Sequence, residues 1–284
     1  MIRLAAFADE ADSNFSGQIA ALLRNRIEYI ELRGLDGKNI SKISETEAKE
    51  YAKMLADSNI SVWSIGSPIG KVDITVDFNE YLSKVKRICQ IAIGFNADKI
   101  RAFSFFNSYD SKQEVLARLQ AMVDVCNEYN IAFCHENEKE IYGDTVERVL
   151  EIANNVKGIK LVYDPANYLQ CGEDAKNALI STVNYTKYFH IKDVNNDGLL
   201  VPSGYGNGDI EGLIKTIGEK DAVLTLEPHL KVFDGYANID DTEMKTQFTY
   251  ASNNEAFDCA VNSLKNILQK LGYKYQNGGY VLCK

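Results

Sequence analysis

Phe189-His190-Ile191-Lys192-Asp193, an apolar run that ends on a histidine, a lysine and an aspartate, decides how the rest of the chain is read. Phe-Cys-His-Glu-Asn at 133–137 and Val-Tyr-Asp-Pro at 162–165 have the same form upstream, and Leu-Thr-Leu-Glu-Pro at 224–228 has it downstream. Each follows an amphipathic helical stretch and reads as a buried strand running into a polar tip. Glu136, Asp164, His190 and Glu227 therefore lie 28, 26 and 37 residues apart, about one strand-plus-helix unit per step. If these strands are parallel neighbours in a closed barrel, the four side chains converge at its C-terminal rim, where such barrels keep their chemistry. Three carboxylates and one imidazole suit a single divalent ion such as Mn, Mg, Co or Zn.

Outward from these segments the same alternation covers the chain. Apolar runs recur at Leu4–Phe7, Tyr29–Leu32, Val62–Ile65, Ile100–Phe106, Ile131–Cys134, Ile159–Tyr163, Tyr188–Ile191 and Ala222–Leu226, with helical patterns between them. The clearest helix is 112–129, with Val115, Leu119, Met122, Val123 and Cys126 on one face; the last carries Phe257, Val261, Leu264, Leu268 and Leu271. Ser44-x-x-Glu47, Ser111-x-x-Glu114, Asp144-x-x-Glu147 and Ser252-x-x-Glu255 mark helix starts, and Asp209 is expected to cap another. Eight strand–helix units imply a parallel sheet with right-handed crossovers, closed as a (β/α)8 TIM barrel. An open doubly wound sheet is the alternative, but the first turn lacks the glycine signature of a dinucleotide fold. No linker or compositional break appears, so residues 1–284 are expected to form one domain. Two long loops, 194–208 and 230–252, are candidates for lids or substrate walls, or else for surface excursions or subunit contacts; the second carries Phe233, Tyr236, Phe248 and Tyr250.

The composition, 45% hydrophobic and 25% charged, is that of an ordinary globular protein. A net charge of −9 argues against a partner that is mainly phosphate backbone. No stretch is long enough to span a membrane, the acidic beginning Phe7-Ala8-Asp9-Glu10 is unlike a signal peptide, and the six cysteines form no Cys-x-x-Cys pair. Reduced thiols in a cytoplasmic protein are the expectation.

Taken singly, each acidic strand end is more often a solvated surface group, and a lone histidine more often a core residue bonded to a carbonyl. Together they are poorly explained that way, because three converging negative charges repel unless a cation joins them. Glu138 would point to the same side as Glu136; Glu136 is preferred because it sits nearer the apolar strand. This constellation resembles the xylose-isomerase-like TIM-barrel superfamily, the sugar (phosphate) isomerases and epimerases. The resemblance rests on His135-Glu136-Asn137, Asp164 with Asn167, His190 with Lys192-Asp193, and Glu227-Pro228, supported by Gly66–Lys71 and Arg101–Ser104. It implies one divalent metal held by Glu136, Asp164, His190 and Glu227, with Glu136 and Glu227 also handling the proton. Many relatives carry histidine where Asn167 stands, and the epimerases an arginine shortly after the metal histidine that is not placed here. The superfamily's apurinic/apyrimidinic endonucleases need several histidines for a three-zinc cluster, whereas this chain has only His135, His190 and His229. One metal fits.

Candidate substrate-binding residues are Lys192, Asn167, His135, Arg101 and Lys71. Lys192 contacts a substrate oxygen or phosphate, or forms a rim salt bridge with Asp193. Arg33, Lys71 and Arg101 either hold an anionic group or neutralise the acidic rim. His229 reads as a loop histidine and Trp63 as core; Phe7, Phe103, Phe105 and Phe106 wall a sugar ring or pack inside. The expected partner is a small-molecule sugar or sugar phosphate, with no nucleic acid and no membrane, and a homo-oligomer is left open. The leading function is a metal-dependent sugar isomerase or epimerase working through an enediolate. The alternatives are a lyase that dehydrates a keto-sugar or cyclic polyol, and a non-catalytic sugar-binding barrel.

Overall fold

The computed structural model describes residues 1–234 and 244–283. The eight barrel strands are β1 (Ile2–Ala6), β2 (Tyr29–Leu32), β3 (Ser61–Gly66), β4 (Lys99–Ala102), β5 (Ala132–Glu136), β6 (Lys160–Tyr163), β7 (Thr186–Ile191) and β8 (Ala222–Leu226). Each pairs in parallel with the next, and β8 closes on β1 in a register running from Ile2–Ala222 to Ala6–Leu226. This is the expected (β/α)8 TIM barrel. The helices are α1 (Phe15–Arg24), α2 (Glu45–Asp57), α3 (Phe78–Gly94), α4 (Lys112–Glu128), α5 (Val146–Asn155), α6 (Pro165–Gln170), α7 (Ala175–Thr182), α8 (Ile210–Ile217) and α9 (Asn253–Lys270). Among the described residues no helix is long and apolar enough to cross a membrane, and all six cysteines are free thiols.

The two-residue period of the strands separates two apolar layers. Leu4, Ile30, Ile100, Phe133, Leu161, Phe189 and Leu224 face the helices. Ala5, Cys134, Val162, Tyr188 and Val223 fill the barrel with half-buried Trp63 and Tyr29. Trp63 stands edge-on between Tyr29 and Tyr188 at 6.2 and 5.9 Å, so it belongs to this inner plug, as its apolar surroundings suggested. One step further along each strand the inward positions turn polar, which sets the site directly above the plug.

Helix starts follow side-chain capping with two exceptions. Ser44 and Glu47 form a complete capping box, and Ser252 and Asp209 accept from the N–H groups of Glu255 and Gly212. Ser111 makes no such bond, and α5 is capped by Thr145 while Asp144 pairs with Arg148 at 2.7 Å. The fourth apolar run also ends early. The strand stops at Ala102 because Phe105 takes φ +63°, which breaks the pleat, and the chain then lies against the loop after β3. There Phe103, Phe105 and Phe106 donate to the carbonyls of Ile69, Gly70 and Val72 at 2.8–2.9 Å. A C-terminal hairpin, β9 (Tyr273–Gln276) and β10 (Gly279–Leu282), was not anticipated and joins β1 antiparallel through Ile2 and Tyr280. Its turn, Asn277-Gly278, has positive φ at both residues, the geometry that Asn-Gly favours.

Gly70, with φ +90°, comes so close to the β4 loop that an added Cβ would lie 2.2 Å from the Phe103 carbonyl oxygen. Gly37, with φ +74°, has nothing within 4 Å of that position. Gly37→Ala should therefore cost only left-handed strain, about 1–2 kcal/mol. Gly70→Ala should add an overpacking cost of about 1–3 kcal/mol. Thermal melts of the two variants check this; equal midpoints would contradict the close approach.

Candidate functional site

Strand alternation brings Glu136, Asp164, His190 and Glu227 to the C-terminal mouth of the barrel, all four buried. One possible ligand atom from each lies within 4.8 Å of the others. His190 is the hub. Its Nδ1 is 2.9 Å from Glu136 Oε1 and 3.1 Å from Glu227 Oε2, and its Nε2 is 3.2 Å from Glu31 Oε2. Glu31 was not singled out in the sequence. It is a buried acid in the middle of β2, and its other oxygen accepts from Tyr188 Oη at 2.7 Å. The hint was there in Tyr29-Ile30-Glu31-Leu32, an acidic residue inside an otherwise apolar run.

Asp164 works at both ends. Oδ1 accepts from the Asn167 N–H at 3.0 Å and so caps α6, whose first residue is Pro165, while Oδ2 turns to Lys192 Nζ at 3.0 Å. Asn137 rivets β5 to β6: its Nδ2 donates to the Asp164 carbonyl and its Oδ1 accepts from the Asp164 N–H, both at 2.9 Å. Asn167 in turn donates to the Asn137 carbonyl at 2.9 Å and reaches Glu136 Oε1 at 3.4 Å. Lys192 thus pairs with Asp164, whereas Asp193, the partner considered from sequence, accepts from the amides of Val194, Gly204, Gly206 and Gly208 at 2.8–3.1 Å. Asp193 thereby shapes the loop after β7.

On the opposite side Arg33 holds Glu227. Its Nη1 donates to Glu227 Oε1 at 2.8 Å, Nε and Nη2 to Asp9 at 2.9 and 3.0 Å, and Nη2 also to Glu10 at 3.2 Å. His229, with φ +46°, gives its N–H to Glu10 Oε2 at 2.7 Å and brings Nε2 to 3.4 Å from Glu10 Oε1. Asp9 and Glu10, read from sequence only as an acidic beginning, are therefore part of the site, because the turn after β1 folds over its mouth. Arg101 Nε is 3.2 Å from Glu136 Oε2, and Lys71 donates to Glu138 at 2.9 Å.

Two of the candidate aromatics line the cluster. Phe7 lies edge-on to His190 at 5.2 Å, and Phe103 lies under Arg101 and Lys71. Phe105 instead packs with Phe78 and Tyr81 in the outer layer. His135 is on the other face of β5 from Glu136, with Nε2 2.9 Å from Ser104 Oγ, and burial lowers its pKa to about 3. The structure therefore places this neutral imidazole away from the cluster, against the expectation that it contacts substrate. Of the long second loop, Phe233 is buried against Arg33 and Tyr205 meets Phe248 at 6.0 Å, while Tyr236 lies outside the described residues.

The donor set fits a divalent cation. Asp164 Oδ2 and Glu227 Oε2 are buried without an aligned hydrogen-bond donor among the described residues, although Lys192 and His190 stand within ion-pair distance of them. Burial pushes the Asp164 carboxyl up to about 7, with Lys192 opposing and Glu136 and Glu227 adding to the rise. Burial likewise lifts Glu10 to about 8 against the pull of Arg33. Desolvation favours neutral His190, but Glu136, Glu31 and Glu227 outweigh it and raise its pKa.

A cation that takes Asp164 and His190 must displace protons, so its affinity should rise between about pH 6 and 8, with proton release visible as buffer-dependent binding heat. A pH-independent affinity would contradict this. Both raised carboxyl groups stabilise the fold while protonated, and that contribution is lost as pH climbs through about 7 and 8. The metal-free protein should therefore lose stability over this range, and the loaded protein should escape the Asp164 share. Elemental analysis of an Asp164→Ala, His190→Ala double variant should find no retained metal.

Solved structures with the same architecture include the probable 3-DHS dehydratase AsbF from Bacillus anthracis, at 17% identity over 93% of this chain and 98% of that one, with a TM-score of 0.71. The IolI protein with a bound zinc atom matches at 17% identity over 94% and 98%, and an L-ribulose 3-epimerase at 16% over 95% and 97%, each with a TM-score of 0.71. No curated protein matches the chain by sequence. The model of the family described as xylose isomerase-like TIM barrel matches residues 20–243. With the closed barrel and the four-residue cluster at its mouth, that match identifies the chain: it belongs to the xylose isomerase-like TIM barrel family.

Proposed function

We propose that this protein is a divalent-metal-dependent sugar isomerase or epimerase in which Glu136 and Glu227 move the proton. The observation that carries this reading is the shared imidazole: two carboxylates from β5 and β8 approach His190 Nδ1 at 2.9 and 3.1 Å, with Asp164 beside them. A bound divalent ion would supply Lewis acidity to the carbonyl and hydroxyl oxygens of the substrate, and so stabilise the charge of an enediolate.

The chain's own residues do the rest. One glutamate takes the proton from the carbon next to the carbonyl, and the other returns a proton to the opposite face. Arg33 fixes Oε1 of Glu227 and leaves Oε2 toward the pocket; Asn167 and Arg101 do the same for the two oxygens of Glu136. Lys192 and the aromatic edges of Phe7 and Phe103 border the space in which a sugar would sit. Elimination of water would begin with the same proton removal, so the dehydratase named among the similar folds is consistent with a lyase as the alternative.

Glu227→Gln should damage chemistry far more than folding, since an amide oxygen still coordinates a hard cation but cannot accept a proton at neutral pH. The expected loss of turnover is on the order of 10²–10⁴ for this variant and for Glu136→Gln, with the double change less than additive. Turnover and solvent-deuterium exchange on a panel of ketoses, beside thermal melts, measure this. Exchange without net loss of water supports the isomerase, consumption with loss of water the lyase. Near-normal turnover by metal-loaded Glu227→Gln would remove Glu227 from the mechanism.

A further inference from the structure

The strand-end cations were open to two roles, gripping an anionic group or neutralising an acidic rim, and each of them already has a carboxylate. Arg33 is held by Asp9, Glu10 and Glu227, Arg101 by Glu136, Lys71 by Glu138, and Lys192 by Asp164. With Glu31 under His190, seven carboxylates face four cations. The formal charge is three negative before any metal and one negative with a divalent ion, and a proton on Glu10 brings it only to zero. The segment 235–243, Gly-Tyr-Ala-Asn-Ile-Asp-Asp-Thr-Glu, contains three acidic residues and no basic one.

We propose that the substrate of this pocket is an uncharged polyhydroxy carbonyl compound, an unphosphorylated ketose rather than a sugar phosphate or sugar acid. The inference rests on the metal-dependent isomerase reading and sharpens it. To grip a phosphate, Arg33 would have to leave Asp9, Glu10 or Glu227, and a buried carboxylate stripped of its partner is strongly unfavourable. The guanidinium is also enclosed, with its carbon 4.3 Å from the Phe7 ring centre and 5.0 Å from that of Phe233. Hydroxyl groups meet no such obstacle, because they donate to carboxylate oxygens without disturbing the ion pairs. A pocket rich in acceptors and without surplus positive charge selects against an anion by like-charge repulsion.

The test uses the full chain loaded with Mn(II), freed of excess metal, and two matched pairs of probes: D-fructose with its 6-phosphate, and D-ribulose with its 5-phosphate. Calorimetric titration and deuterium exchange followed by proton NMR are read on each. In both pairs the phosphorylated compound should bind at least about tenfold more weakly than the free ketose. Glu138→Gln, which releases Lys71 from outside the proton-transfer pair, should narrow that gap. Equal or tighter binding of the phosphates would overturn the proposal, and so would failure of both free ketoses to bind. Binding of free ketoses without any exchange would instead sink the isomerase reading while leaving the preference for uncharged ligands standing.

Discussion

One imidazole set among three buried carboxylates is the constraint from which the mouth of this barrel follows. Glu31, Glu136 and Glu227 come from three different strands and would repel one another in an interior that screens charge poorly. His190 reaches all three, and Tyr188, two residues earlier on the same strand, supplies a further donor to Glu31. Arg33, two residues beyond Glu31 on β2, crosses to Glu227 on β8. Alternate positions on β2 and β7 thus hold the charges together, and the apolar plug beneath them keeps solvent from relieving the repulsion. A barrel filled to the rim with aliphatic side chains would be simpler to stabilise; the polar upper layer makes sense only as a site.

Much of this was legible because parallel buried strands leave a plain mark: an apolar run that stops on a polar residue. Four such stops in successive units named Glu136, Asp164, His190 and Glu227, and the barrel brings all of them together. Glu31 escaped because it sits one residue inside its run rather than at the end of it. Asp9 and Glu10 escaped because their role depends on the turn after β1 folding back toward Arg33, a tertiary fact without a local signal. His135 was misplaced by adjacency to Glu136, which in a strand guarantees the opposite face.

The remaining differences have local causes of the same kind. Phe103–Phe106 looks like more strand, but a positive φ at Phe105 turns the chain into contact with the loop after β3. The C-terminal hairpin carried a readable turn at Asn277-Gly278 and was obscured only by the even count of eight units before it. Lys192 and Asp193 are neighbours in sequence that point to different tasks, one toward the cluster and the other toward a loop of glycine amides.

That last arrangement sets how readily the rim can be remodelled. Because one carboxylate gathers the amides of Gly204, Gly206 and Gly208, and a Cβ at Gly206 or Gly208 would stand 2.3 or 2.9 Å from an Asp193 oxygen, the loop divides into two interleaved sets. The glycines define its path and leave no room for replacement. Tyr205, two-thirds exposed, and Asn207 stand between them and carry side chains the path does not depend on. Variation introduced at 205 and 207 can change the surface of this wall while its backbone stays in place, so the loop is built to diversify at every second residue.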